Sequence, residues 1–191
     1  MAKKESTFTN MFLTLLIVTV VSSLAASGVY NLTKVPIAEV ARMKQQKAIE
    51  QVMPPFDTYS MQTVMPASGK DSLLLFKGIT GEETVGIAVN TYSYEGYSGL
   101  IKLMVGFTPD GTIHNIVVLE QKETPGLGTK MTTKWKDQFI GKNLKDFNCT
   151  VTKDGGQVDA ITAATVSSRA FCDAVNRAYE TYQSTNTPQN Q

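Results

Sequence analysis

The chain opens with a long uncharged stretch. No acid or base occurs from Ser6 to Thr33, and MFLTLLIVTVVSSLAASGVY (11–30) is mostly apolar. Twenty helical residues at about 1.5 Å each span about 30 Å, the hydrocarbon thickness of a bilayer. A cleaved signal peptide has the same ingredients: Lys3-Lys4, an apolar core and the small residues SSLAAS. The core is long, however, and Gly28, Val29 and Tyr30 continue past the small residues, with Tyr30 placed as an interfacial aromatic. The segment therefore reads as a retained transmembrane helix. Next, VPIAEVARMKQQKAIEQVM (35–53) places Ile37, Val40, Ala41, Ala48, Ile49 and Val52 on an imperfect helical stripe that Pro54-Pro55 stops.

From Phe56 the period changes. LLLFKGI (73–79), TVGIAVNTY (84–92), LIKLMVGFT (100–108) and TIHNIVVLEQ (112–121) are short apolar runs between turn signals and predict strands. Thr108-Pro109-Asp110-Gly111 predicts a hairpin, since Pro fixes φ and Asp-Gly supplies permissive positions. MTTKWKDQF (131–139) predicts a short helix and FNCTV (147–151) a further strand. Residues 166–183 give the clearest helix, with Phe171, Val175, Ala178, Tyr179 and Tyr182 on one face and Arg169, Asp173, Arg177 and Glu180 elsewhere. The expected architecture is α+β: one N-terminal transmembrane helix, then one mainly antiparallel-sheet domain with flanking helices. Its parts are a short cytoplasmic N-terminus (1–10), the span (11–30), a juxtamembrane helix or linker (31–55), the domain (56–183) and a polar tail (184–191).

Composition narrows the chemistry. The 191 residues carry 18 Lys and Arg against 17 Asp and Glu, which argues against a nucleic-acid partner. Two cysteines, Cys149 and Cys172, and one histidine, His114, make no cluster for zinc or iron–sulfur ligation, so no metal is expected. The cysteines are two buried thiols or one disulfide. His114, between a turn and an apolar strand, reads as a surface or strand-edge residue.

Three small-residue loops carry the candidate chemistry. In the first, Gly96 and Gly99 bracket Tyr97-Ser98 just before Leu100, a pattern that a β-turn or bulge also explains. In the second, Glu123-Thr124-Pro125-Gly126-Leu127-Gly128, Pro-Gly suits a type II turn. Such a loop exposes backbone polar groups to a planar ligand and offers Leu127 to its face; a plain connection to the next helix is the other reading. In the third, DAITAATVSSR (159–169), Thr165 stands one residue before the helix as its natural N-cap. The free N–H groups and dipole there favour an anion. Ala163 and Ala164 leave the approach open, and Ser167 and Ser168 add donors.

The run Asp159-Ala160-Ile161-Thr162-Ala163-Ala164-Thr165 resembles the flavinylation motif D-x-x-[ST]-[GA]-A-T of the FMN-binding domain family. That family includes the G subunit of the Rnf complex and the C subunit of the sodium-pumping NADH:quinone oxidoreductase. The resemblance also covers GYSGLI (96–101), ETPGLG (123–128) and the single N-terminal span. It implies FMN as cofactor, joined by a phosphoester to Thr165 by a flavin transferase that uses FAD, with Asp159 in recognition. It further implies that Thr162, Ala163, Ala164, Ser167 and Ser168 hold the phosphate, and that the 124–128 backbone, Leu127 and Leu100 meet the ring. The family usually has glycine at the position of Ala163; alanine is harmless there in αR or β backbone and strained in αL. A weak nucleophile with no histidine nearby makes a separate transferase chemically reasonable.

The implied role is an electron relay between ferredoxin and NAD in an ion-translocating complex. The partners are the complex's other subunits, the transferase and the lipid bilayer. The implied location is the bacterial inner membrane, with the N-terminus cytoplasmic and the domain periplasmic. The chain's length suits the Rnf member better than the longer quinone-reductase member. A membrane-anchored module with no redox role is the reading from a different class.

Overall fold

The computed structural model describes residues 7–186, which divide into two units between Met43 and Lys44. The Lys3-Lys4 start and the end of the polar tail lie outside the described residues. In the first unit, α1 (Phe8–Val52) begins, and its apolar side chains are exposed all round, from Phe8 through Leu16 and Val21 to Val40. It is long and apolar enough to cross a membrane. The helix runs unbroken through residues 31–34 and over Pro36, so the span and the expected juxtamembrane helix are one element. Pro36 lacks an N–H and so cannot donate to the preceding turn.

The second unit is built on a five-stranded antiparallel meander, in the order β1 (Thr58–Val64), β2 (Leu73–Thr80), β3 (Glu83–Gly96), β4 (Gly99–Phe107) and β5 (Ile113–Glu120). Four strands lie where the apolar runs predict them. The sequence pattern gives no sign of β1: its side chains are mostly exposed, so no alternation marks it. The β4–β5 turn is closed by Gly111 N–H to Thr108 O at 2.9 Å, with Gly111 at φ +88°.

Strand alternation sends side chains to two separate cores. Leu103, Val105 and Phe107 of β4, with Ile87 and Val89 of β3, face α2 (Thr165–Asn186) through Phe171, Val175 and Tyr179. Met104 and Ala88 face the other way, onto Ala48, Ile49, Val52 and Met53 at the end of α1. Asn115 Nδ2 holds Gln51 O at 3.0 Å on that side, and Lys44 Nζ donates to Leu119 O. The close seat needs glycine: a Cβ on Gly106 would lie 1.7 Å from Val52 O.

Three features differ from the sequence reading. Residues 131–139 form two 3-10 turns, Gly128–Thr132 and Lys134–Phe139, instead of one helix. They are held by aromatic packing, with Trp135 and Phe139 against Phe171 at 5.1 and 5.0 Å between ring centroids. Residues 147–151 make one isolated bridge, Val151 to Val158, and no strand. Arg177, expected off the apolar face of α2, is buried. It donates to Ser68 O at 2.7 Å and to Tyr92 O, pairs with Asp173, and lies 5.0 Å over the Tyr92 ring. A buried guanidinium is tolerated because its donors are spent this way.

Candidate functional site

The three loops meet at the N-terminal end of α2. The first is the two-residue turn of the β3–β4 hairpin, with Gly96 paired to Gly99 and Gly99 at φ +91°. The second is the expected turn: Leu127 N–H donates to Thr124 O at 3.1 Å, and Gly126 at its third position has φ +76°, as type II requires. The third runs into α2.

Glu123 joins them. It is buried, its Oε1 accepts from Ser98 N–H at 3.0 Å, and its Oε2 accepts from Ser167 Oγ at 2.6 Å. One carboxylate from the second loop thus binds the hairpin turn and the first turn of α2. The two nearest glycines leave room for it. A Cβ on Gly96 would lie 2.8 Å from Glu123 Oε1, and one on Gly128 would lie 2.8 Å from both Oε2 and Ser167 Oγ.

The helix start departs from the expected cap by one residue. Ser168 N–H donates to Ala164 O at 3.1 Å and α2 begins at Thr165, so Ala164 occupies the N-cap position and Thr165 the first helical one. Alanine has no side-chain acceptor, and among the described residues no side chain caps the N–H groups of Thr165, Val166 or Ser167. Ser168, fully buried, instead braces the loop, accepting from Ile161 N–H at 2.9 Å and donating to Ala164 O at 3.0 Å. Ala163 has φ +62°, the one non-glycine residue with positive φ among the described residues. Upstream, Asp159 is exposed while its main chain is fixed by Trp135 Nε1 to Asp159 O at 2.7 Å and by Asp159 N–H to Gln138 Oε1 at 2.8 Å.

Between the loops lies a cavity of about 540 Å³. Tyr97, Glu123, Thr124, Leu127, Gly128, Ala163, Ala164, Thr165 and Ser167 line it, together with Val166, which the sequence reading did not single out. Tyr97, Leu127 and Val166 are exposed apolar surface at this place. Gly96, Ser98, Gly99, Pro125, Gly126, Thr162 and Ser168 shape or flank the loops without lining the cavity, and Leu100 packs against the core. Thr165 is partly exposed, and its Oγ1 accepts from Lys153 Nζ at 3.3 Å, a lysine outside all three motifs. His114 is exposed on β5 and does not line the cavity. Among the described residues no group of His, Cys, Asp or Glu is placed to hold a metal.

The cavity suits a flavin mononucleotide. Its volume falls within the roughly 300–1,000 Å³ of small-ligand sites. It joins apolar walls for a ring to a helix start that favours a phosphate.

The same segment is matched in comparison with known proteins. The FMN-binding domain profile matches residues 96–180, the segment that holds all three loops. The G subunit of the ion-translocating oxidoreductase complex of Aliivibrio fischeri is 36% identical over 172 residues, covering 81% of this chain and 81% of the relative. The corresponding G subunit of Cronobacter sakazakii is 37% identical over 159 residues, covering 77% and 76%. The G subunit of the Na(+)-translocating ferredoxin:NAD(+) oxidoreductase complex of Acetobacterium woodii is 36% identical over 118 residues, covering 60% and 57%. The chain belongs to the family of G subunits of ion-translocating oxidoreductase complexes, built on an FMN-binding domain.

Proposed function

We propose that this chain is a membrane-anchored electron-relay subunit carrying FMN on Thr165 through a phosphoester. Its complex moves electrons between ferredoxin and NAD and couples the transfer to ion translocation. The observation that carries the reading is the meeting of three loops, distant in sequence, around one cavity with Thr165 in its wall. The name of the Acetobacterium woodii relative supports the electron donor and acceptor.

Bound FMN supplies the redox chemistry. This chain's residues hold and shield it. Tyr97, Leu127 and Val166 flank the ring and exclude water. Glu123 keeps the loops in register. The first N–H groups of α2 receive the phosphate, and Thr165 tethers it. The lining contains no histidine to activate that hydroxyl, so a separate flavin transferase supplies the base, with Asp159 exposed for recognition. The helix Phe8–Val52 anchors the chain in the bacterial inner membrane. Lys3 and Lys4 stay on the cytoplasmic side and the domain, translocated regardless of its charge, lies in the periplasm. A covalent tether suits a domain that has no ready supply of flavin on that side.

The test is the intact mass of the chain co-expressed with the transferase. An FMN adduct lost in Thr165→Ala is expected. An unmodified wild-type chain, or an adduct that survives the substitution, rejects the proposal.

A further inference from the structure

The turn Thr152–Asp154 is fastened beside the start of α2. Asp154 accepts from Arg169 Nε at 2.7 Å and from Arg169 Nη2 at 2.8 Å, a two-point pair that fixes both position and orientation. The turn closes tightly behind it, since a Cβ on Gly156 would lie 1.9 Å from Thr150 O. Lys153 stands on this pinned turn, and its Nζ donates to Thr165 Oγ1. Arg169 is engaged by Asp154; Lys153 brings its ammonium to the one hydroxyl on the cavity wall that serves as flavin acceptor.

We propose that Lys153 is a catalytic residue of flavin attachment: it orients Thr165 Oγ1 and neutralises the phosphoryl charge as the bond forms. This rests on the covalent reading above. In the attachment, Thr165 Oγ1 attacks the FMN-side phosphorus of the flavin dinucleotide. The Oγ1–P bond forms, the P–O bond to the adenylate breaks, and AMP leaves with the bridging oxygen. The hydroxyl proton passes to a base of the transferase, and no electrons are exchanged. A hydrogen bond from Lys153 occupies one lone pair of Oγ1 and turns the O–H elsewhere, toward that base. The ammonium stabilises the oxygen as it loses its proton and the phosphoryl oxygens as they crowd the helix start. Once the diester has formed, the same ammonium remains as its counter-charge.

The experiment uses the full-length apo chain in detergent, purified flavin transferase and FAD, with adduct followed by intact mass and in-gel flavin fluorescence. Wild type is expected to be labelled and T165A not. K153Q is expected to lose about a hundred-fold in kcat at saturating chain, by analogy with removal of one transition-state donor. K153R is expected to recover most of the loss, and K153E to fall below K153Q. Lys153 is exposed, so circular dichroism and melting are expected to be unchanged. Labelling of K153Q at the wild-type rate overturns the role of Lys153 and leaves the tether at Thr165 standing. So does a loss confined to KM, which assigns Lys153 to transferase docking. Equal losses in K153R and K153Q with lowered melting overturn it in favour of a structural role. An unlabelled wild-type chain overturns the tether itself.

Discussion

Ser167 Oγ donates to Glu123 Oε2 at 2.6 Å across 44 residues of sequence, and the other oxygen of that carboxylate holds Ser98 N–H. Removing the carboxylate leaves a buried hydroxyl and a backbone donor without their acceptor. E123A is expected to lower unfolding free energy by about 1–3 kcal/mol. E123Q, which keeps one carbonyl acceptor and an amide that the Ser167 hydroxyl can turn to accept from, is expected to lose less. Urea titration of the detergent-solubilised chain checks both, and equal losses would deny the bridge its importance.

Ala163 sits at φ +62°. A left-handed backbone costs an L-residue about 1–2 kcal/mol, which glycine avoids at some cost in chain entropy. A163G is therefore expected to stabilise the chain by up to about 1 kcal/mol. A melting temperature at or below that of wild type would contradict this.

Gly106 lets the end of α1 lie on the sheet. A methyl group there would meet the Val52 carbonyl, a backbone atom that cannot swing aside. G106A is expected to cost about 3 kcal/mol. Hydrogen exchange over residues 48–53 is expected to rise more than exchange in α2. Uniform loss of protection would place the damage elsewhere.

Asp154 and Asp110 shape the acid limb of stability. The hydrogen bond from Arg169, then its charge and that of Lys153, hold the Asp154 carboxyl below its ordinary value of 3.8. Hydrogen bonds from Thr108 and then Thr112 do the same for Asp110. Because both folded values are lowered, their stabilisation is complete above about pH 4 and is lost as the pH falls through the folded values. The penalty for D110N or D154N is expected to be present at pH 6 and reduced at pH 3, measured as the shift in urea midpoint against wild type. A penalty independent of pH would contradict it.

Cys149 and Cys172 are buried, separate thiols. The contact with the Cys172 thiol, then burial, pushes Cys149 well above the usual thiol range and suppresses the reactive thiolate. Maleimide is expected to label neither in the folded chain and both after denaturation without reductant. Labelling that requires reductant would indicate a disulfide.

Periodicity sufficed for the four inner and far-edge strands and for α2, because each buries at least one regular face. It missed β1, whose side chains are mostly exposed, and placed Arg177 off the apolar face because spacing cannot show that Tyr92 and Ser68 supply partners for a buried cation. The loops of the site were legible as glycine- and threonine-rich interruptions. What bound them together was not: Glu123 carries no local mark of its two remote partners, and Lys153 lies outside every motif, on a turn that the Arg169–Asp154 pair pins beside Thr165.

Ala164 at the head of α2 gives one consequence for maturation. A helix beginning on alanine is unfinished at its most electropositive point. If Thr165 takes up the flavin phosphate, the modification itself becomes the cap. Attachment is then the last step of folding as much as the first step of function, and the apo chain is expected to fray first at the residues that receive its cofactor.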